Sequence, residues 1–180
     1  DVGEVNGETF SAQDFGALVE EYTEVVKFSS GLNALSDEQT NQIKDEVWRA
    51  YVNNKLIENE AEKLGLTVSK AELQAIIDAG VHPMLQQTPF RNPQTGAFDK
   101  DMLKKFLVDY SKMNKAQMPA QYAEYYNSMY NFWSFVEKSL IQARLQEKYQ
   151  ALITKSLFSN PVEAEDAFNA RVDQSDLLLA

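Results

Sequence analysis

Few residues in this chain have the type and spacing that chemistry needs. His82 is the single histidine. A Ser-His-Asp triad would have to use it, yet it stands before Pro83 in an expected loop with no evident partner, so it reads as a surface loop histidine. One histidine cannot build a histidine-rich zinc site within one chain. Cysteine is absent, which removes disulfides, thiol nucleophiles and Cys-ligated metals. Glu20 with Glu24, and Glu58 with Glu62, are paired carboxylates on helical spacing. Acid–base work would need the two members in contrasting, partly buried environments. These pairs instead stand opposite apolar stripes, beside Lys55 and Lys63, which is the pattern of a solvated helix face. Asp99, Asp101 and Asp109 lack the spacing and glycine of a calcium loop, and Gly96 is too isolated for a phosphate-cradling loop. The residues therefore predict no catalytic group, no metal and no cofactor.

Methionine and aromatic placement is more suggestive. All five methionines (Met84, Met102, Met113, Met118 and Met129) fall within residues 84–129, and seven aromatics (Tyr122, Tyr125, Tyr126, Tyr130, Phe132, Trp133 and Phe135) crowd into residues 122–135. One helix face cannot hold all seven, so that helix is either buried on two sides or turns one aromatic stripe to a groove. Flexible, polarizable methionine suits surfaces that accept varied apolar partners, and extended peptides with apolar side chains could lie there. The competing reading is ordinary core. The candidate binding residues are Met84, Phe90, Met102, Phe106, Met113, Met118, Tyr122, Tyr125, Met129 and Phe132.

The elements that must position them follow from caps and periodicity. Residues 1–10 look extended, with Asn6-Gly7 as a tight hairpin turn. Ser11 can cap a helix carrying Phe15, Leu18, Val19, Tyr22, Val25 and Val26, with Gly31 as its stop. Ser36 and Gln39 form a capping box for a second helix that ends at Gly65, and Ser69 with Glu72 opens a third that ends near Gly80. Residues 81–98 hold three of the five prolines and read as a loop. Asp99 or a neighbour starts the helix of Met102, Leu103, Phe106, Leu107 and Tyr110, and residues 111–118 read as a linker. Pro119 fits the first turn of a very long helix, 119–157. Its positions Tyr122, Tyr126, Met129, Trp133, Val136, Leu140 and Ala143 alternate by four and three, which implies lengthwise packing on another helix. Asn160-Pro161 opens a last helix, to about Val172, and residues 174–180 are apolar enough to form a strand beside residues 1–10. The fold class is mainly α: a single extended multi-helix domain over 1–180, helical over 11–172, with short terminal strands.

Composition bounds the function. At 180 residues the chain is long enough for one self-sufficient core. A net charge of −10 argues against nucleic acid as a partner, since phosphate binding needs a clustered positive footprint, and equally against an anionic membrane surface. No apolar run reaches ~18 residues, so nothing in the chain reads as a membrane span. It opens at Asp1 without methionine, which leaves room for an upstream signal or anchor.

In order and spacing, several short motifs together resemble the N-terminal chaperone domain of the SurA/PpiD family of periplasmic parvulin-type peptidyl-prolyl isomerases. They are Val5-Asn6-Gly7-Glu8 with Ser11; Val47-Trp48 through Leu56-Ile57; Glu60-Ala61-Glu62-Lys63-Leu64-Gly65-Leu66; Val68-Ser69-Lys70-Ala71-Glu72-Leu73; Asn92-Pro93-Gln94-Thr95-Gly96-Ala97-Phe98-Asp99; and Val162-Glu163-Ala164-Glu165 with Ala167-Phe168. Residues 111–135 match least well. The resemblance implies a helical domain that holds unfolded outer-membrane or secreted proteins in the periplasm. It also implies a parent whose histidine-containing parvulin domain, absent from these residues, carries isomerase activity. PpiD-like members add an N-terminal membrane anchor, which would lie upstream of Asp1. The alternative is a structural or dimerisation module that pairs two copies through the long helix 119–157.

Overall fold

Side-chain caps set the helix boundaries. In the computed structural model, which describes residues 3–5 and 8–159, Ser11 Oγ accepts hydrogen bonds from the backbone N–H groups of Gln13 and Asp14 at 3.2 and 3.3 Å. Helix α1, Ala12–Ser30, starts there and ends at Gly31, whose φ of +68° is a left-handed conformation that a Cβ would disfavour. Ser36 and Gln39 cap each other reciprocally and open α2, Asp37–Lys63. Ser69 Oγ accepts from the Glu72 N–H at 3.1 Å and opens α3, Lys70–Ala79. Asp99 caps α5, Lys100–Lys112, through the N–H groups of Asp101 and Met102. Pro119 then precedes α6, Ala120–Ser159, whose 40 residues span about 60 Å. Ahead of the helices, β1 (Gly3–Val5) and β2 (Glu8–Phe10) pair antiparallel, with Gly3 opposite Phe10 and Val5 opposite Glu8. The expected last helix and the strand at 174–180 lie outside the described residues.

Two expectations need correction. Residues 81–98 are no simple surface loop: Pro83–Gln86 form a one-turn helix, α4, between α3 and α5. His82 is its N-cap, and Nδ1 accepts from the Met84 N–H at 3.1 Å. The histidine is thus a half-buried structural cap rather than a free surface residue. Past α4 the segment stays inside, with Leu85 fully buried and Thr88 and Phe90 nearly so. Thr88 satisfies its hydroxyl by donating to the Leu85 carbonyl at 2.7 Å. Four residues are too few for a helical period to be visible, and the prolines read as breakers although Pro83 occupies a first helical position that suits it. Similarly, the expected linker 111–118 begins as the last turn of α5 and continues as a 3-10 turn at Lys115–Gln117.

Helix α6 packs along α1 and α2, which also pack on each other, while α4 and α5 close onto its first half. The core joins Val25 of α1, Ile77 of α3, Leu85, Phe90, Leu103 of α5, and Phe132, Trp133, Val136 and Leu140 of α6. The middle of the four-three seam of α6 is therefore used within the chain: Trp133, Val136 and Leu140 are 3, 6 and 1% exposed, while Tyr122 at its start is exposed. Gln86, the last residue of α4, ties together the two ends of the stretch between α3 and α5. Its Nε2 donates to the Gly80 carbonyl at 2.7 Å, and its Oε1 accepts from the Phe98 N–H at 3.1 Å.

Candidate functional site

The ten candidate binding residues divide by burial. Phe90 and Phe132 are core, at 4 and 6% exposure. Met84, Phe106 and Met129 are half-buried and pack against that core. Met113 and Met118 are half-buried at the two ends of the turn between α5 and α6. Met102, Tyr122 and Tyr125 face solvent. The aromatics of α6 point in several directions, as their number requires. Phe132 and Trp133 point inward, Tyr126 and Phe135 are half-buried, and Tyr122, Tyr125 and Tyr130 are exposed.

A continuous set of ring contacts holds this end of the molecule. Phe90 meets Phe106 at 5.3 Å between centroids, and Phe106 meets Tyr110 and Tyr126 at 5.8 and 6.3 Å. Tyr110 stacks on Tyr130, and its hydroxyl donates to Asn127 Oδ1 at 2.6 Å. Tyr125 touches Phe28 of α1 and Tyr126. Exposed Tyr122 and Tyr125 stand three residues apart and so adjoin on the helix surface. The result is a packed aromatic cluster with Tyr122 and Tyr125 exposed on the same stretch of α6.

A second feature is a cleft of about 670 Å³ between α1, α2 and α6; of the ten candidate binding residues Met84 alone lines it, and the rest of its lining was missed in the sequence. Tyr22 and Phe135 form an aromatic wall, their centroids 5.5 Å apart. The Tyr22 hydroxyl donates to Glu46 Oε2 at 3.0 Å. Burial, and next the Glu46 carboxylate, raise the Tyr22 pKa above its ordinary value. Lys138 donates to both oxygens of Glu21 at 2.6 and 2.7 Å. Gln142 Nε2 donates to Glu58 Oε1 at 2.6 Å, so Glu58 works at the α2–α6 interface rather than on a purely solvated face. The available signal was Ser139 and Gln142, polar side chains beside the apolar seam positions Leu140 and Ala143.

Farther along α6, Arg144 and Lys148 grip Glu72 of α3. Arg144 Nε lies 3.3 Å from Oε2 and Lys148 Nζ 2.9 Å from Oε1, and Lys148 also donates to the Thr67 carbonyl at 2.6 Å. Lys148 foremost, with Arg144, lowers the Glu72 pKa. This cluster is a strut between helices. Among the described residues no group of three or more His, Asp or Glu side chains is placed to hold a metal ion, and no helix is long and apolar enough to cross a membrane.

Compared with known protein families, residues 1–107 match the SurA-like N-terminal domain, from the hairpin to Leu107 in α5. Neither the curated proteins nor the solved structures yielded a match.

Proposed function

The chain belongs to the SurA-like N-terminal domain family, and from that membership we propose a chaperone-like domain that holds unfolded or apolar polypeptides. The observation that supports the reading is the exposure of Met102 on α5 and of Tyr122 and Tyr125 on α6, the last of these in contact with the packed aromatic cluster. Exposed apolar groups on a well-packed support suit partner binding. A client would gain about 25 cal/mol for each Å² of apolar surface removed from water, before the cost of ordering its chain. Excess negative charge keeps the loaded complex soluble and favours basic client segments.

Unfolded outer-membrane or secreted proteins in the periplasm are the proposed clients. Peptidyl-prolyl isomerisation belongs, in this proposal, to a parvulin domain of a longer parent. The second reading, pairing of two copies through α6, has less of the seam to use, because Trp133, Val136 and Leu140 are buried within the chain while Tyr122 is exposed. Light scattering of an unfolded outer-membrane protein diluted with the chain tests the reading. Suppressed aggregation is expected, and a Met102→Ser, Tyr122→Ser, Tyr125→Ser variant should lose most of it while remaining folded. Equal suppression by that variant would remove this edge from the proposal.

A further inference from the structure

The exposed edge on α5 and α6 leaves the cleft between α1, α2 and α6 without a role. We infer that this cleft is a docking site for a short extended peptide carrying a large apolar side chain next to a lysine or arginine. The inference rests on the client-binding reading and names a second, chemically distinct subsite within it.

Two observations carry it. The first is shape. A volume of about 670 Å³ falls in the range of roughly 300–1,000 Å³ typical of ligand pockets, and exceeds what one side chain fills. Its apolar surface includes Leu18, Tyr22, Val47 and Phe135, on three helices that pack on one another, with Met84 of α4.

The second is charge. The lining carries Glu21, Glu46 and Glu58 against Lys55 and Lys138. Both lysines are engaged on the same rim, Lys138 with Glu21 at 2.6 Å and Lys55 with Glu58 at 3.9 Å. Glu46 has no lysine or arginine within ion-pair distance among the described residues, and its partner there is the neutral Tyr22 hydroxyl. The uncompensated charge of the rim is therefore negative and sits beside the aromatic wall. A cationic side chain adjacent to an apolar one complements it, and an acidic segment is repelled.

Fluorescence anisotropy with two labelled heptapeptides tests the inference: Ser-Lys-Leu-Phe-Leu-Lys-Ser, and the same peptide with both lysines replaced by glutamate. The lysine peptide should bind and the glutamate peptide should bind more weakly. Glu46→Gln should weaken the lysine peptide about two- to fivefold, the size of one partly exposed ion pair. Ala50→Trp, which places an indole at the exposed cleft edge, should weaken it roughly tenfold or more by occupying the apolar volume. Glu46→Gln is a surface change that leaves the fold intact, so the test survives if Ala50→Trp does not fold. Equal binding of the two peptides, or wild-type affinity in Glu46→Gln, would overturn the cleft assignment. The aggregation assay on the same proteins separates the two claims. Normal suppression by the wild type with unaltered peptide binding in the variants sinks the cleft alone. No suppression by the wild type, with peptide binding still lost in the variants, sinks the chaperone reading and leaves the cleft as a peptide site.

Discussion

Tyr110 and Tyr130 lie face to face, with ring centroids 4.4 Å apart and planes 5° from parallel. Lys115 covers the outer side, its Nζ 4.4 Å from the Tyr110 centroid and 2.7 Å from the hydroxyl. The stack fastens α5 to α6 through side chains that sequence reading would assign either to core or to binding. It makes Tyr110 a structural residue although it is only half-buried. A double-mutant cycle of Tyr110→Ala and Tyr130→Ala in urea unfolding should return a coupling of about 1 kcal/mol. Additive losses would mean that the rings merely sit near each other.

Leu140 of α6 belongs to the core that also takes in α1, α3, α4 and α5, and is 1% exposed. Leu140→Ala should cost about 2–5 kcal/mol of unfolding free energy. Tyr122→Ser, on the exposed side of the same helix, should stay within about 0.5 kcal/mol of wild type. Denaturant midpoints of the two variants check the contrast directly.

Acid should loosen the strut between α3 and α6. The Glu72 pKa is lowered in the folded protein, so the stability it contributes is present above the ordinary glutamate value of 4.5 and fades as pH falls through the folded value. Glu72→Gln should therefore be less stable than wild type at neutral pH, and the difference should close in acid below that value. A stability difference independent of pH between neutral and strongly acidic solution would show that the carboxylate charge is not what binds the two helices.

Tyr22 should titrate late. Burial first, and then the Glu46 carboxylate, keep its phenol protonated above the ordinary value of 10.0. The stability linked to this shift is complete below pH 10 and is lost as alkaline pH passes the folded value. Ultraviolet phenolate titration should show a late phase to which Tyr22 contributes, and Glu46→Gln should bring that phase earlier. An unchanged late phase in that variant would leave burial as the whole cause.

Most helix boundaries were legible because each has a local chemical mark. Ser11, Ser36, Ser69 and Asp99 are caps whose side chains do accept the backbone N–H groups that their positions imply. Gly31, Gly65 and Gly80 take the positive φ that ends a helix. What stayed hidden is set by tertiary contact. Leu85, Thr88 and Phe90 are pulled inside by neighbours far along the chain, and their local proline-rich sequence says loop. The cleft depends on how three helices diverge, which no spacing within one helix records. The family match also stops at Leu107, before α6, so the aromatic-rich half of the candidate surface had to be read from packing alone. Phe90 and Phe132 show the difficulty: a phenylalanine at helical spacing looks the same whether it supports a surface or forms one.

Amide chemical shifts test the central claim most directly. Isotope-labelled chain would be titrated with an unfolded segment of an outer-membrane protein. The account predicts shifts confined to the exposed edge around Met102, Tyr122 and Tyr125 and to the Tyr22–Phe135 cleft, with the core amides of Leu85 and Leu140 unmoved. An absence of shifts at large client excess would contradict client binding by this domain.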